Sequence, residues 1–188
     1  MLIDPPILAL IDELDALGKR RDDAWQVPRI EGELLCQIAL ASSAQLVVEV
    51  GTSYGFSGLF WGAALRHTGG RLHTIDVDPK KYDSAKLTFA KAGLNDVITN
   101  HLGDARKILP ILPGEIDIAF IDADKPGTAE YFKLIWPKVR PGGSVLIDNA
   151  TTHRKELADT VAMIRAMPGA VSAEVAVGNG LEWAIKLS

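Results

Sequence analysis

Three oxygen-bearing side chains follow two apolar runs of the chain, where they could bind a metal ion. Asp122 comes directly after the run IDIAFI, and Asp148 and Asn149 end the run SVLIDN. Two carboxylates and one amide are hard ligands, suited to Mg²⁺, with Mn²⁺ or Ca²⁺ as alternatives, and such a cation keeps open positions for substrate oxygens. A single Asp after a strand is more often a helix cap, but the joint presence of all three with Lys125 favours a metal site.

A glycine-bearing turn, EVGTSYGFSG, begins at Glu49 and follows the apolar run LVV. Glycine lets the backbone approach a ligand closely, and a helix N-terminus offers free N–H donors. The turn lacks the G-x-G-x-x-G spacing of dinucleotide sites, which favours a nucleoside cofactor over NAD. Asp76 ends the next apolar run, 21 residues after Gly55, and can accept hydrogen bonds from both ribose hydroxyls. The alternatives are a tight turn without a ligand and, for Asp76, a helix N-cap.

Strand and helix patterns alternate along the chain, which predicts an α/β fold with a mostly parallel sheet and helices on both faces. The predicted strands are Leu46–Val50, Arg71–Asp76, Val97–His101, Ile116–Ile121, Ser144–Asp148, Val171–Val177 and Leu181–Leu187. The predicted helices are Ile7–Lys19, Glu31–Ala41, Phe56–Arg66, Lys80–Ala92, Thr128–Lys138 and Lys155–Met167. Only Gly178-Asn179-Gly180 joins the last two strands, so they should form an antiparallel hairpin. In such sheets ligands bind at the carboxyl ends of the strands, where the polar motifs fall.

Length and composition restrict the classes of protein that this sequence can represent. The 188 residues fit one domain, with a helical segment at 1–42 and an α/β core at 46–188. A net charge of −4 argues against nucleic acid as a partner and favours a small molecule. The apolar runs are too short to span a membrane, and the N-terminus lacks the features of a signal peptide, which predicts a cytoplasmic protein. The single cysteine, Cys36, excludes a disulfide framework.

Five segments together resemble the cation-dependent O-methyltransferase family, which includes catechol and caffeoyl-CoA O-methyltransferases. They are LVVEVGTSYGFSG, LHTIDVDPKKYDSAKLTFAKAGLNDVI, GDA, IDIAFIDADK and RPGGSVLIDN. The similarity runs from about Val27 to the C-terminus, and the paired IDADK and IDN motifs are its most discriminating part. It implies a seven-stranded Rossmann-like methyltransferase sheet and an O-methyltransferase that depends on S-adenosylmethionine and a divalent metal. The implied substrate is a small aromatic compound with catechol-like vicinal hydroxyls.

The resemblance also assigns roles to individual residues. It implies that the cofactor contacts Val27, Glu49, Gly51, Tyr54, Gly55, Ser57, Asp76, Val77, Asp104, Ala105 and Asp122. Asp76 would bind the ribose, and Asp104 and Ala105 would border the adenine. Asp122, Asp148 and Asn149 correspond to the metal ligands, and Lys125 to the proposed general base. Glu182, in GLEWA, resembles the glutamate that animal catechol enzymes place on the second hydroxyl; the alternative is an exposed residue on the closing hairpin.

Other functions stay open on the sequence alone. A methyltransferase of the same fold could act on a hydroxylated nucleoside of transfer RNA, using the basic patch of Lys19, Arg20, Arg21 and Arg29. The chain could also be a non-catalytic module that binds S-adenosylmethionine. An NAD-dependent oxidoreductase is disfavoured by the missing third glycine of the fingerprint. The sequence does not distinguish a monomer from a homodimer.

Overall fold

The computed structural model describes residues 3–187, which form seven strands and seven helices. The strands are β1 Leu46–Val50, β2 Arg71–Asp76, β3 Ile98–Leu102, β4 Ile116–Ile121, β5 Val139–Ile147, β6 Ala170–Val175 and β7 Leu181–Lys186. The helices are α1 Pro5–Gly18, α2 Arg29–Ala41, α3 Phe56–Thr68, α4 Pro79–Lys91, α5 Ala105–Ile108, α6 Thr128–Ile135 and α7 Arg154–Arg165. No helix within residues 3–187 combines the length and apolar character needed to cross a bilayer.

The strands form one sheet in the order β3-β2-β1-β4-β5-β7-β6. The pairings from β3 through β5 are parallel, and β7 pairs antiparallel with both β5 and β6. The predicted fold class, a mostly parallel Rossmann-like sheet that ends in an antiparallel hairpin, is therefore confirmed. The chain reverses its direction of winding between β1 and β4, which makes their carboxyl ends the switch point where such sheets bind ligands.

Helices cover both faces of the sheet, as the apolar character of the central strands requires. Helices α1 to α4 pack on one face around side chains such as Leu35, Trp61 and Phe89. Helices α5 to α7 pack on the other face around Phe132 and Leu157. Strand β4 is buried along its whole length between these two layers, so its end is a rigid support for Asp122.

Several boundaries differ from the predicted ones. β5 begins at Val139, five residues before the predicted start, because the chain around Gly142 stays beside β4 through a shift of register. The predicted helix Thr128–Lys138 ends as an α-helix at Ile135 and continues as a 3₁₀ turn, where Pro137 lacks a backbone N–H. The sequence does not predict helix α5, because its four residues are too few to show a periodic pattern.

Candidate cofactor and metal site

The carboxyl ends of the parallel strands open onto a cavity of about 730 Å³. Eight of the residues predicted to bind a cofactor or metal, or to act as the base, line this cavity: Gly51, Asp76, Val77, Asp104, Ala105, Asp122, Lys125 and Asn149. A much smaller recess shares the walls at Gly51 and Asp122 and adds two more of them, Val27 and Ser57. Neither the cavity nor the recess is lined by the remaining predicted residues, which are Glu49, Tyr54, Gly55, Asp148 and Glu182.

Gly51 joins the cofactor turn to the end of β4. Its φ of +107° is a conformation that side chains disfavour, and a β-carbon would lie 1.9 Å from the carbonyl oxygen of Asp122. The backbone N–H of Asp122 donates to the carbonyl of Val50 at 2.9 Å, so the two strand ends are in direct contact. Gly55, with φ +89°, lies against the ring of Phe89 and is the N-cap of α3. Both glycines are therefore needed for packing, in addition to any role toward a ligand.

Asp76 borders the cavity at the end of β2. Its Oδ2 accepts from the backbone N–H of Ser53 at 2.7 Å, and its Oδ1 accepts from the backbone N–H of Asp78 at 2.9 Å. Each oxygen keeps a further lone pair for a ligand hydroxyl. The cap of α4 is supplied by Asp78, which accepts from the N–H of Lys80 at 2.8 Å. The N-cap of α4 is therefore Asp78 and not Asp76.

Asp104 and Ala105 form the adjoining wall. Asp104 caps the short helix α5 by accepting from the N–H of Arg106 at 2.9 Å, and this hydrogen bond lowers the pKa of the carboxyl. Ala105 is buried behind it, and Val77 is exposed at the rim. This side of the cavity is thus built from one carboxylate and small or apolar groups.

Glu49 and Tyr54 support the cofactor turn from behind. Glu49 is fully buried; its Oε1 accepts from Nε1 of Trp61 at 3.2 Å and its Oε2 from the hydroxyl of Thr74 at 2.6 Å. Burial raises the pKa of Glu49 to about 7, while these donors oppose the rise. The hydroxyl of Tyr54 donates to Asp23 at 3.0 Å, which ties the turn to the segment before α2.

Asp122 lines the acidic end of the cavity, and Asp148, which follows the neighbouring strand β5, lies next to it. Asp148 is 1% exposed; its Oδ1 accepts from the N–H of Asn149 at 2.5 Å and its Oδ2 from Nδ2 of Asn179 at 3.3 Å. Burial, and then the negative charge of Asp148, raise the pKa of Asp122 well above its ordinary value. Within residues 3–187, no three Asp, Glu, His or Cys side chains are drawn together as closely as in a metal site. Two repelling carboxylates beside an amide nevertheless form a donor set that a hard cation would neutralise.

Lys125 lies in the loop after β4, with its side chain largely buried. Its Nζ donates to the carbonyl of Ala123 at 2.9 Å and is 3.7 Å from Oδ1 of Asp122. Asp124 fixes this loop, because its carboxylate accepts from the N–H of Gly127 at 2.9 Å and from the hydroxyl of Tyr131 at 2.6 Å. The amine thus sits beside the acidic pair and borders the cavity.

Glu182 does not lie where it could contact a substrate hydroxyl, as the family resemblance implies. It is 1% exposed within the sheet, and Arg165 on α7 donates to its two carboxylate oxygens at 2.8 and 2.7 Å. The hydroxyl of Ser172 on β6 donates to it as well. The carboxylate is therefore engaged by protein donors away from the cavity, and it is neither exposed on the hairpin nor positioned for the predicted role toward a substrate hydroxyl.

Two residues that the sequence did not single out adjoin the acidic end. Asn179 lines the cavity and donates to Asp148, and Glu31, in the first turn of α2, accepts from the backbone N–H of Asn179 at 3.0 Å. The sequence does show Glu31 beside the apolar residues of a predicted helix, but this pattern does not indicate which groups Glu31 contacts. At the opposite rim Trp25 is 78% exposed, and Nζ of Lys81 lies 4.3 Å from the centre of its ring.

Comparison with known proteins identifies the family. The family model described as "Methyltransferase domain" matches residues 48–150, which include the cofactor turn and the acidic loops. The chain is 35% identical over 133 residues to a catechol O-methyltransferase of Mycobacterium tuberculosis, a match that covers 68% of this chain and 60% of that protein. It is 34% identical over 153 residues to a catechol O-methyltransferase of Niastella koreensis, covering 79% of this chain and 69% of the relative.

A solved structure supports the same conclusion. The O-methyltransferase TomG from Streptomyces achromogenes, in complex with SAM, superposes with a TM-score of 0.81 at 26% identity. The superposition covers 98% of this chain and 91% of that one. The sheet, the turn after β1 and the acidic loops after β4 and β5 thus occur in a chain similar in sequence and in structure to these enzymes. The protein therefore belongs to the S-adenosylmethionine-dependent O-methyltransferase family.

Proposed function

We propose that this protein transfers the methyl group of S-adenosylmethionine to one hydroxyl of a small vicinal dihydroxy aromatic compound, with the help of a divalent cation. The observation that carries the proposal is that a single cavity is bordered by Asp76 and Asp104 on one side and by Asp122, Lys125 and Asn149 on another. A nucleoside cofactor and a metal-bound acceptor would meet there. Two relatives named catechol O-methyltransferase support this class of acceptor.

The cofactor end would recognise a nucleoside that carries an amino acid. Asp76 offers one free lone pair on each oxygen, which suits the two ribose hydroxyls. Asp104 and Ala105 would border the base, and the recess lined by Val27, Gly51 and Ser57 would take the methionine end. When bound, S-adenosylmethionine supplies a methyl group on a positively charged sulfur, which is already reactive toward a nucleophile.

The acidic end would hold the cation through Asp122, Asp148 and Asn149. These residues fit a hard divalent ion, because burial and the charge of the buried Asp148 raise the pKa of Asp122 and the donors are oxygen atoms. When bound, the ion favours the anionic form of a phenol hydroxyl, as it favours hydroxide over water. Two adjacent hydroxyls form a chelating pair that a monophenol lacks, and this difference favours a catechol-like substrate.

Lys125, in its neutral form, would accept the hydroxyl proton. Its Nζ lies beside Asp122 and borders the cavity, so a hydroxyl near the acidic pair is within reach of the amine. The neutral Nζ would take the proton as the substrate oxygen bonds to the methyl carbon and the carbon–sulfur bond breaks, and S-adenosylhomocysteine would leave. Holding the reacting atoms in line supplies up to about 7–11 kcal/mol of the acceleration. No covalent bond to the protein is needed.

The transfer-RNA alternative receives less support from the surface. Lys19 pairs with Asp15 at 2.7 Å, Arg21 with Asp23 at 2.8 Å, and Arg29 with two acids. Neighbouring carboxylates therefore offset most of the charge in the basic patch. A polyanion would have to compete with these acids, which weakens binding that depends on phosphate contacts.

A methyl-transfer assay with labelled S-adenosylmethionine tests the proposal. Catechol and phenol are compared as acceptors in the presence of Mg²⁺ and of EDTA, with wild type and Asp122→Asn. We expect transfer to catechol in Mg²⁺, strong loss in EDTA and in the variant, and little transfer to phenol. Equal transfer in EDTA would reject the metal, and equal rates for the two acceptors would reject the vicinal diol.

A further inference from the structure

Glu31 differs from the other fully buried glutamates in having an oxygen without a partner. Glu49 and Glu182 each receive hydrogen bonds on both carboxylate oxygens. Glu31 is 0% exposed; its Oε2 accepts from the N–H of Asn179, but its Oε1 has no hydrogen-bond partner among residues 3–187. Leaving a buried polar oxygen unpaired costs free energy, so this atom calls for a ligand.

The carboxyl of Glu31 lies near Asp148, to which Asn179 connects it. Burial is the first cause that raises the pKa of Glu31, to about 9, and the charge and contact of Asp148 come next, followed by the charge of Asp122. Three carboxyl groups from α2, β4 and β5 are therefore close enough to repel one another.

The hairpin turn fixes Glu31 in this place. A β-carbon on Gly178 would lie 2.3 Å from Oε2 of Glu31, so the turn between β6 and β7 packs directly on the carboxylate. Asn179 connects the two acids, since its backbone donates to Glu31 and its side chain donates to Asp148 at 3.3 Å. The second oxygen of Glu31 is thereby left for a group other than the turn.

We infer that Glu31 is a third carboxylate of the cation site, with Oε1 free to bind the ion or one of its waters. The inference rests on the proposed function, and it adds a ligand from α2 to those at the ends of β4 and β5. Affinity of oxygen sites for divalent cations increases with the number of charged ligands. A hard ion that retains some of its waters can use a carboxylate that reaches it directly or through one water.

Titration calorimetry with Mn²⁺ alone tests the inference without any turnover. Glu31→Gln keeps the size of the side chain and removes its charge, and we expect Mn²⁺ to bind at least about tenfold more weakly than to wild type. Glu33→Gln is the matched control, because Glu33 lies on the same helix in an exposed pair with Arg29 and should bind Mn²⁺ as wild type does. Affinity for S-adenosylhomocysteine should be unchanged in both variants, which shows that the cofactor end is intact.

The outcomes separate this inference from the proposed function. If wild type and Glu33→Gln bind Mn²⁺ and Glu31→Gln binds it equally well, Glu31 is only a packing residue and the inference is overturned. If wild type itself binds no Mn²⁺, the cation site fails, and the inference with it. Glu31→Ala, which removes the same charge and leaves space beside Gly178, is a second variant with the same expected loss, should the glutamine variant not fold.

Discussion

The α-carbon of Gly51 faces the carbonyl of Asp122 so closely that a β-carbon would lie 1.9 Å from that oxygen. Gly51 belongs to the cofactor turn, and Asp122 begins the acidic loop, so the two halves of the site meet at one backbone contact. A change at this contact should therefore affect fold, cofactor and metal together.

Gly51→Ala should lower the free energy of unfolding by about 3 kcal/mol or more, because it combines a disfavoured φ with a backbone clash. Gly69→Ala is the control: its φ is +76°, but no atom lies within 4 Å of the added carbon, so it carries only the conformational cost of about 1–2 kcal/mol. Urea unfolding of both variants measures the difference. An equal loss of unfolding free energy in both variants would show that the backbone near Asp122 moves away from the added carbon without destabilising the protein.

Asp76→Asn should weaken binding of S-adenosylhomocysteine by roughly 1.5–3 kcal/mol, because it removes a charged acceptor from the ribose position. The substitution keeps the shape of the side chain, but its single carbonyl oxygen can accept from the N–H of Ser53 or from that of Asp78 and not from both. Calorimetry on the variant and on Asp78→Asn checks this result. Asp78 caps α4, and asparagine caps a helix about as well, so its variant should keep both its stability and its affinity for the cofactor.

Asp122→Asn should abolish stabilisation by Mg²⁺. If wild type binds the ion, adding Mg²⁺ at about 100 times Kd should raise its free energy of unfolding by about 2.7 kcal/mol, whereas the variant should gain almost nothing. Asp124→Asn in the same loop is the control, since Asp124 is held by Tyr131 and Gly127 and should leave the response to Mg²⁺ intact. Denaturant unfolding with and without Mg²⁺ measures both. A full response in Asp122→Asn would contradict its role as a ligand.

The sequence predicts the sheet well because its signals are local. Apolar runs such as IDIAFI mark strands buried on both faces, and the short link at Asn179, which has five residues in the structure, permits only a hairpin. Strand ends in a parallel sheet meet at one edge, so the predicted neighbourhood of Asp76 and Asp122 follows from topology alone. Topology therefore brings the residues that follow the parallel strands to one edge of the sheet, as the sequence predicts.

Contacts between distant side chains were not predictable in the same way. Alternation along β7 places residues on the two faces, but it does not reveal that Arg165 and Ser172 hold Glu182. Glu31 meets Asn179 across 148 positions, a separation that no periodic pattern encodes. The predicted helix correctly includes Glu31, but the helical pattern does not show which groups Glu31 contacts.

Glu182→Gln should destabilise the protein and spare turnover. Removing the charge from a fully buried acceptor of three hydrogen bonds should cost roughly 1–3 kcal/mol of unfolding free energy. Catechol methylation at 25 °C should continue at the wild-type rate, because the side chain is held away from the cavity. Glu174→Gln, in an exposed pair with Arg154, is expected to change stability less. A loss of kcat/KM with unchanged stability would restore Glu182 to the site.

His73 and His101 form a stacked pair on β2 and β3 that should make stability depend on pH. Nδ1 of His73 lies 2.9 Å from Nε2 of His101, and the ring centres are 5.2 Å apart. Burial lowers the pKa of both rings, and the charges of His101 and Arg71 lower that of His73 further. The folded protein therefore binds fewer protons than the unfolded chain near pH 6.

The direction of the effect follows from these lowered values. A base whose pKa falls on folding contributes stability that is fully present above its unfolded pKa of about 6.5 and is lost as the pH falls through the folded value. Urea unfolding between pH 7.5 and 5 should therefore show a decline, and His101→Gln should make it shallower because one of the two protons is removed. An equal slope in wild type and His101→Gln would mean that other groups cause the decline and that the pair does not respond to pH in this range.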